Sequence, residues 1–349
     1  MTTAGRTVTG RPDGEVLAAC RAVITPDLRA AVDTLPASAR RVAGYHFGWW
    51  DEHGNPAAAG SGKALRPALV LLAAEAVADT ADDTAAITRA AVAVELVHNF
   101  SLLHDDVMDR DRVRHHRATA WSVFGMREAI LAGDALLTLA LDVLVASGHP
   151  AAGQGVRMLA GAVQDLVAGQ YADVEFEQRQ NVGLAECETM SAHKTGSLLG
   201  CASGIGALFG GAQPERIDRL RAFGAHLGIA FQHADDLLGI WGNPAVTGKP
   251  NHSDLRSRKK TLPVVAALIS GTPAGRELAA LYDARRPLSD TEVALAADLV
   301  DRAGGRAFSR RQAELHAAQA IRELAGAEPA ERAAAELGAL AYLVTHRDH

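Results

Sequence analysis

The chain has 349 residues, a formal net charge of −6 and 48% hydrophobic residues, enough for one large core or two ordinary domains. Aromatics are only 5% of it, and Ala and Leu dominate the apolar set, which favours helix over sheet. The mild acidity gives no general reason to expect nucleic acid, which would need a basic patch, so any basic cluster here stands out as local and specific.

Residues 1–14 are polar and rich in Gly and Thr, without the apolar stretch of a signal peptide. They are expected to form a disordered tail ahead of one domain over residues 15–349. Three cysteines, Cys20, Cys187 and Cys201, lack close metal-ligand spacing. An odd, sparse set of this kind points to buried thiols in a reducing compartment. No uninterrupted apolar run reaches the roughly 18 residues of a membrane span, so a cytoplasmic protein is expected.

From Pro67 onward nearly every segment carries helical spacing. A proline in the first turn opens a helix over 67–78. Apolar residues at helical intervals then predict helices over 87–109, 129–145, 152–176, 189–208, 214–241 and 262–269. Gly148-His149-Pro150, Gly210-Gly211, Gly242-Asn243-Pro244 and Thr247-Gly248-Lys249-Pro250 punctuate them. The stretch after Thr272 is rich in Ala, Glu and Arg and helical, without a chemical cluster. No alternating strand pattern is evident, so the expected fold is all-α: a single-domain bundle of ten or more helices.

Two of these helices carry acidic turns. Asp105 and Asp109 are four residues apart, which places them on one helix face, and Asp106 flanks them. Three carboxylates so close repel strongly at neutral pH unless a cation lies between them. A second pair, Asp235 and Asp236, sits in an equally apolar helix. Two acidic turns facing one another across a bundle make a site for hard divalent ions, Mg²⁺ being the natural choice with carboxylate and phosphate ligands. A solvated acidic face is the bland alternative, and burial among Leu, Ile, Val and Phe weighs against it.

The basic residues suggest what the metal would hold. Lys63 and Arg66 stand three apart at a helix start, a position suited to anions. Arg114 follows the first acidic turn in a basic run, Lys194-Thr195 lies in a Gly- and Ser-containing helix, and Lys249 and Lys259 follow the second turn. Any one of them alone reads as a surface charge. Together, beside both acidic turns, they imply a polyanion bridged through metal, and a diphosphate fits.

The strings Gly62-Lys63-Ala64-Leu65-Arg66-Pro67, Glu95-Leu96-Val97-His98 leading to His104-Asp105-Asp106-Val107-Met108-Asp109, Lys194-Thr195-Gly196, and Phe231-Gln232 through Asp235-Asp236-Leu237-Leu238-Gly239 to Thr247-Gly248-Lys249-Pro250 resemble the trans-isoprenyl diphosphate synthases. The similarity is greatest to actinobacterial geranylgeranyl diphosphate synthases. The resemblance implies the isoprenoid synthase fold around a central cavity, a homodimer, and magnesium-dependent transfer of an allylic prenyl diphosphate onto isopentenyl diphosphate. It implies that Asp105, Asp106, Asp109 and Asp235 hold several Mg²⁺ ions. Arg114, Lys194, Gln232, Lys249 and Lys259, with Thr195 close by, would grip the allylic diphosphate. Lys63, Arg66 and His98 would hold isopentenyl diphosphate, and Gln170 and Asp173 would line the cavity and support the bound substrate. Phe100, five before Asp105, matches a family position for a bulky tunnel floor, and Ser101, four before, is small. That pairing resembles makers of the C20 product, with C15 and C25 open.

Two positions depart from the family pattern. His115 stands where a second arginine helps bind isopentenyl diphosphate, with Arg117 as a candidate substitute, and Gly239 stands where the second acidic motif has a third aspartate. His115 keeps open a terpene cyclase or diphosphate lyase on the same fold, which would not use isopentenyl diphosphate. A metal phosphohydrolase built on His98, His104-Asp105 and Asp235, and a non-catalytic partner of another synthase, are the remaining readings.

Overall fold

The computed structural model describes residues 11, 13–57, 62, 64–78, 83–114, 116–243, 252–284 and 286–345. Lys63, His115, Lys249 and nearly all of the expected N-terminal tail lie outside the described residues.

The fold is all-α, as expected. In chain order the helices are α1 (Asp13–Asp33), α2 (Ala37–His46), α3 (Leu65–Val77), α4 (Thr84–Met108), α5 (Ala120–Phe124), α6 (Met126–Val145), α7 (Ala152–Gln178), α8 (Leu184–Ser191), α9 (Ser197–Phe209) and α10 (Pro214–Trp241). There follow α11 (Ser253–Arg256), α12 (Leu262–Leu268), α13 (Pro273–Asp283), α14 (Asp290–Arg302), α15 (Gly305–Gly326) and α16 (Glu331–Thr345). The expected helix over 214–241 is found with those bounds; α1 and α2 were not foreseen, and α1 begins inside the segment expected to be a tail. Among the described residues the one sheet is a two-residue antiparallel pair, β1 (Val113–Arg114) with β2 (Arg117–Ala118), a small departure from a reading without strands.

The expected helix over 189–208 is three pieces. Between α8 and α9 the chain makes a five-residue π-helix, Ala192–Gly196, which carries Lys194 and Thr195. One extra residue in a turn shifts the angular phase of everything after it, and such bulges occur at functional sites.

Helix α4 runs through the middle of the bundle, packed against α1, α3, α6 and α9. Its Ala90–Ala93 run is fully buried, since only small side chains leave room for helices on every side. This helix is long and apolar enough to cross a membrane, yet 72% of its most apolar stretch is buried within the bundle. The main core is continuous across α1–α4, α6, α7, α9, α10, α15 and α16. A second core, including Ile240, Leu255, Val264, Leu278 and Val293, joins the end of α10 to α11–α14.

Helices α10 and α15 share an extensive interface that contains three histidines. His226 Nδ1 and His316 Nδ1 lie 3.0 Å apart, so one ring must donate and the other accept. His233 Nδ1 lies 3.3 Å from Ser309 Oγ. Burial depresses both His226 and His316 below the ordinary imidazole value, with Arg322 adding to the effect on His226 and Glu323 opposing it. A histidine held neutral in the fold binds fewer protons than in the unfolded chain below the ordinary pKa of about 6.5. Its contribution to stability is therefore present above that pH and lost as pH falls. The thermal midpoint is expected to drop between pH 7 and 5. A His316→Gln variant is expected to show a shallower drop, measured by circular dichroism melts at each pH.

Candidate active site

Helices α4, α7 and α10, together with the π-helix, enclose a cavity of about 460 Å³. Asp105 and Asp109 reach it from α4, Gln170 and Asp173 from α7, Lys194 and Thr195 from the π-helix, and Gln232 and Asp235 from α10. Arg66, His98, Ser101, Asp106, Arg114 and Lys259 also line it. The acidic turns of α4 and α10 therefore share one cavity, as their spacing predicts.

Close helix approach sets this geometry. A Cβ on Gly169 would lie 2.4 Å from the backbone nitrogen of Lys194, so only glycine lets α7 seat against the π-helix. On the other side a Cβ on Gly228 would lie 2.6 Å from Gly196 Cα. One helical turn beyond each glycine stands the residue that profits. Asp173, four after Gly169, meets Lys194 Nζ at 2.6 Å. Gln232, four after Gly228, accepts from Thr195 Oγ1 at 2.6 Å.

Ionic contacts alternate in sign across the cavity. Lys259 Nζ lies 3.2 Å from Asp109 Oδ2 and 3.6 Å from Asp173 Oδ2, bridging α4 and α7. Burial pushes the Asp105 carboxyl up, Lys194 pulls it back, and the nearby Asp109 charge adds to the rise. Burial alone would also raise Asp173, but Lys194 and Lys259 together hold it below the ordinary carboxylate value. Two ammonium groups thus offset a set of carboxylates that would otherwise repel one another.

Asp106 takes a different part. It is 1% exposed, and its Oδ1 accepts from both Nε and Nη2 of Arg114 at 2.8 Å. The expected metal ligand and the expected diphosphate grip are thus joined to each other. Asp236 also turns inward: Gln232 Nε2 donates to its Oδ1 at 2.7 Å and the Leu262 N–H to its Oδ2 at 2.9 Å. Burial nevertheless pushes this carboxyl up to about 8. The chain Thr195–Gln232–Asp236–Leu262 ties the π-helix, α10 and α12 together, and Asp235 is left as the exposed member of its pair.

At the other end of the cavity Arg66 Nη1 donates to His98 Nε2 at 3.1 Å, so that nitrogen carries no proton. Glu95, one turn before His98 and Asn99, accepts from Asn99 Nδ2 at 3.1 Å, and Asn99 Oδ1 lies 3.1 Å from His46 Nε2. Burial pushes Glu95 up to about 7, against the pull of Arg66. In the sequence Glu95 stands in a family string without a role and Asn99 and His46 carry no signal, although 95, 98 and 99 share one helix face.

Two expectations need correction. Phe100 is buried outside the cavity lining, its ring edge-on to His104 at 4.8 Å. At about 100° per residue it lies well around the helix from Asp105, whereas Ser101 shares the Asp105 face and does line the cavity. Arg117 lines the cavity, but its guanidinium is already engaged, which weighs against it as a substitute for an arginine at 115. Its Nη1 and Nη2 donate to the carbonyls of Tyr45 and Trp50 at 2.5 and 2.7 Å, and its guanidinium stacks 3.7 Å from the Tyr45 ring centre.

The donor set suits a hard divalent cation. It is built of carboxylate and amide oxygens, and two of these, Asp106 Oδ2 and Gln170 Oε1, are buried without a hydrogen-bond partner among the described residues.

The family model described as Polyprenyl synthetase matches residues 49–300. The (2E,6E)-farnesyl diphosphate synthase of Mycobacterium tuberculosis H37Rv is 48% identical over 335 residues, covering 95% of this chain and 92% of that protein. The geranylgeranyl diphosphate synthase of the same organism is 42% identical over 334 residues, covering 95% and 93%. Among solved structures, polyprenyl synthetase from Streptomyces coelicolor A3(2) has a TM-score of 0.89 at 48% identity, covering 95% of this chain and 98% of that one.

The Gly169 contact yields a test. Gly169→Ala is expected to leave the helical content unchanged while displacing Lys194 from Asp173. Misplacement by about 1 Å costs on the order of 10²-fold in turnover. A variant with unaltered kcat would show that the close approach is dispensable.

Proposed function

Because the chain belongs to the polyprenyl synthetase family and is a prenyltransferase, we propose that it extends an allylic prenyl diphosphate with isopentenyl diphosphate and releases geranylgeranyl diphosphate. The observation that carries the reading is the meeting of Asp105, Asp109 and Asp235 with Lys194 and Lys259 around one cavity.

Breaking an allylic C–O bond leaves negative charge on the departing diphosphate. The family depends on magnesium. Asp105, Asp109 and Asp235 would hold several such ions, which supply preorganised positive charge to the leaving group. Lys194 and Lys259, now set on Asp173 and Asp109, would turn to the same diphosphate, with Thr195, Gln232 and Lys249 alongside. Asp106 holds the Arg114 guanidinium through Oδ1, and its Oδ2 would be left for metal.

The carbocation left behind must be kept from water. Leu102, Leu166 and Phe231 supply apolar wall to the cavity. Arg66 and His98, with Lys63, would seat the isopentenyl diphosphate so that its double bond faces the cation. The double bond is itself the nucleophile that forms the new C–C bond, and the cation this leaves gives its proton to the released diphosphate, so neither a side-chain nucleophile nor a side-chain base is needed.

Product length follows from the face below Asp105. Ser101 presents a small side chain to the cavity one turn down, its hydroxyl turned back onto the His98 carbonyl at 2.8 Å. This leaves room for a growing chain to pass, which favours the C20 product. His115 weakens the second diphosphate grip without removing it, since Arg66 and His98 remain paired at the cavity.

A homodimer fits the surface. Val167, Tyr171 and Val174 are exposed at helical spacing on α7, the helix that bears Gln170 and Asp173, and Leu131 and Val145 are exposed on α6. Burying such a stripe against a second copy is favourable at about 25 cal/mol per Å². Light scattering is expected to give twice the chain mass, and Leu131→Glu to shift it toward the monomer.

The reading is tested by incubation with magnesium and dimethylallyl, geranyl or farnesyl diphosphate, with and without isopentenyl diphosphate. Mass spectrometry is expected to find geranylgeranyl diphosphate only when isopentenyl diphosphate is present. A hydrocarbon or alcohol made without it would favour a lyase and sink the synthase. Ser101→Phe is expected to shift the product toward C15.

A further inference from the structure

We infer that Arg117 is a positioning residue for isopentenyl diphosphate: it buckles residues 45–50 onto the β1–β2 hairpin and so fixes one wall of the cavity. The inference rests on the synthase reading of this cavity. Among the described residues the partners of Arg117 are two backbone carbonyls and one ring face, none of them charged. Tyr45 lies in the last turn of α2 and Trp50 beyond its end, so one planar fork spans both from outside.

Tyr45 returns the tie. Its hydroxyl donates to the Ala118 carbonyl at 2.8 Å, and its ring stands edge-on to Phe124 of α5 at 5.1 Å. It is only 3% exposed, so this junction belongs to the interior rather than to the surface. The bound segment is also stiff. Trp50 Nε1 donates to the Arg41 carbonyl at 2.9 Å, and the Trp49 N–H to the Gly44 carbonyl at 2.9 Å. A shift at residue 50 is therefore passed back to α2 rather than absorbed by the turn.

What the buckle holds is cavity wall. Tyr45, His46, Phe47 and Gly48 line the cavity together with Arg66 and His98. His46 Nε2 lies 3.1 Å from Asn99 Oδ1, the neighbour of His98 in α4. Across the β1–β2 ladder Arg117 pairs with Arg114, yet the two residues are held from different sides. Asp106 on α4 fixes Arg114 through two contacts of 2.8 Å. Loss of the Arg117 side chain would thus leave the allylic grip in place and loosen the wall joined to Arg66 and His98. His115 already deprives isopentenyl diphosphate of a second arginine, so its binding depends the more on that wall.

The two substrates, measured separately, test this. Calorimetry would follow isopentenyl diphosphate binding to the unaltered protein, Arg117→Met and Arg117→Lys, and steady-state rates would give KM for each substrate. Arg117→Met keeps an apolar stem and removes every donor. It is expected to weaken isopentenyl diphosphate binding and raise its KM about tenfold, while KM for farnesyl diphosphate stays within about threefold. Arg117→Lys reaches one carbonyl at a time without the fork, and is expected to fall between the two. Hydrogen exchange at residues 45–50 is expected to quicken in Arg117→Met. Unchanged isopentenyl diphosphate binding in that variant overturns the inference, and so does an equal rise in both KM values, which marks a merely structural role. If Arg117→Met does not fold, the same split between the two substrates is required of Arg117→Lys. An unaltered protein that binds no isopentenyl diphosphate defeats the synthase reading and this inference with it. Equal binding by the unaltered protein and Arg117→Met defeats this inference alone.

Discussion

Mutual repulsion among Asp105, Asp109 and Asp173, all drawn to one cavity, is the constraint on which the site depends. Like charges in a poorly hydrated space are tolerated only with compensation close by. Lys194 and Lys259 provide it, and Lys259 reaches carboxylates on two different helices. Such an arrangement is poised for exchange. On the proposed function, an incoming diphosphate would give each ammonium a new anionic partner, and a metal ion would do the same for each carboxylate. No buried charge need be left alone at any stage, which keeps the rearrangement from costing the several kcal/mol of an orphaned buried ion.

That balance works only if the helices stand close enough. Gly169 against Lys194 and Gly228 against Gly196 bring three backbone segments nearly into contact, and Gly224 does likewise against the Leu199 carbonyl. A glycine inside a helix costs about 1 kcal/mol relative to alanine. Here the close approach is returned one turn later, where Asp173 and Gln232 meet their partners at 2.6 Å. The π-helix completes the arrangement: from it Lys194 meets Asp173 on α7 and Thr195 meets Gln232 on α10, and its extra residue shifts the phase of the helix that follows.

Much of this was legible in the sequence because it is periodic. The apolar spacing marked α4 and α10, and the four-residue step put Asp105 and Asp109 on one face. What periodicity cannot carry was lost. The π-helix is five residues inside an otherwise regular pattern, so the stretch read as one helix. Helix α1 has Pro26 within it, which hides its continuity. Asp235 and Asp236 are adjacent and equal as letters; Asp236 faces inward, where Gln232 and the Leu262 N–H, the latter brought in by a distant segment, both donate to it. Arg117 is the same kind of case, since a cation bound to backbone carbonyls looks no different in a string from one that awaits a phosphate. Phe100 is the exception, for the helical angle already placed it off the Asp105 face.

Acidic motifs are written as strings because a helix repeats every 3.6 residues, but a ligand meets charges in space. Asp106 belongs to the first string and yet holds Arg114. Asp254 belongs to neither string, yet it lines the same cavity. The two cases have one cause. A side chain's direction is set by its helix, whereas its partner can come from any segment the core brings near. Ile240 and Leu255 share the second core, and it is their packing that carries Asp254 to the end of α10. An apolar contact with no chemistry of its own therefore helps bring a carboxylate from another segment to the cavity.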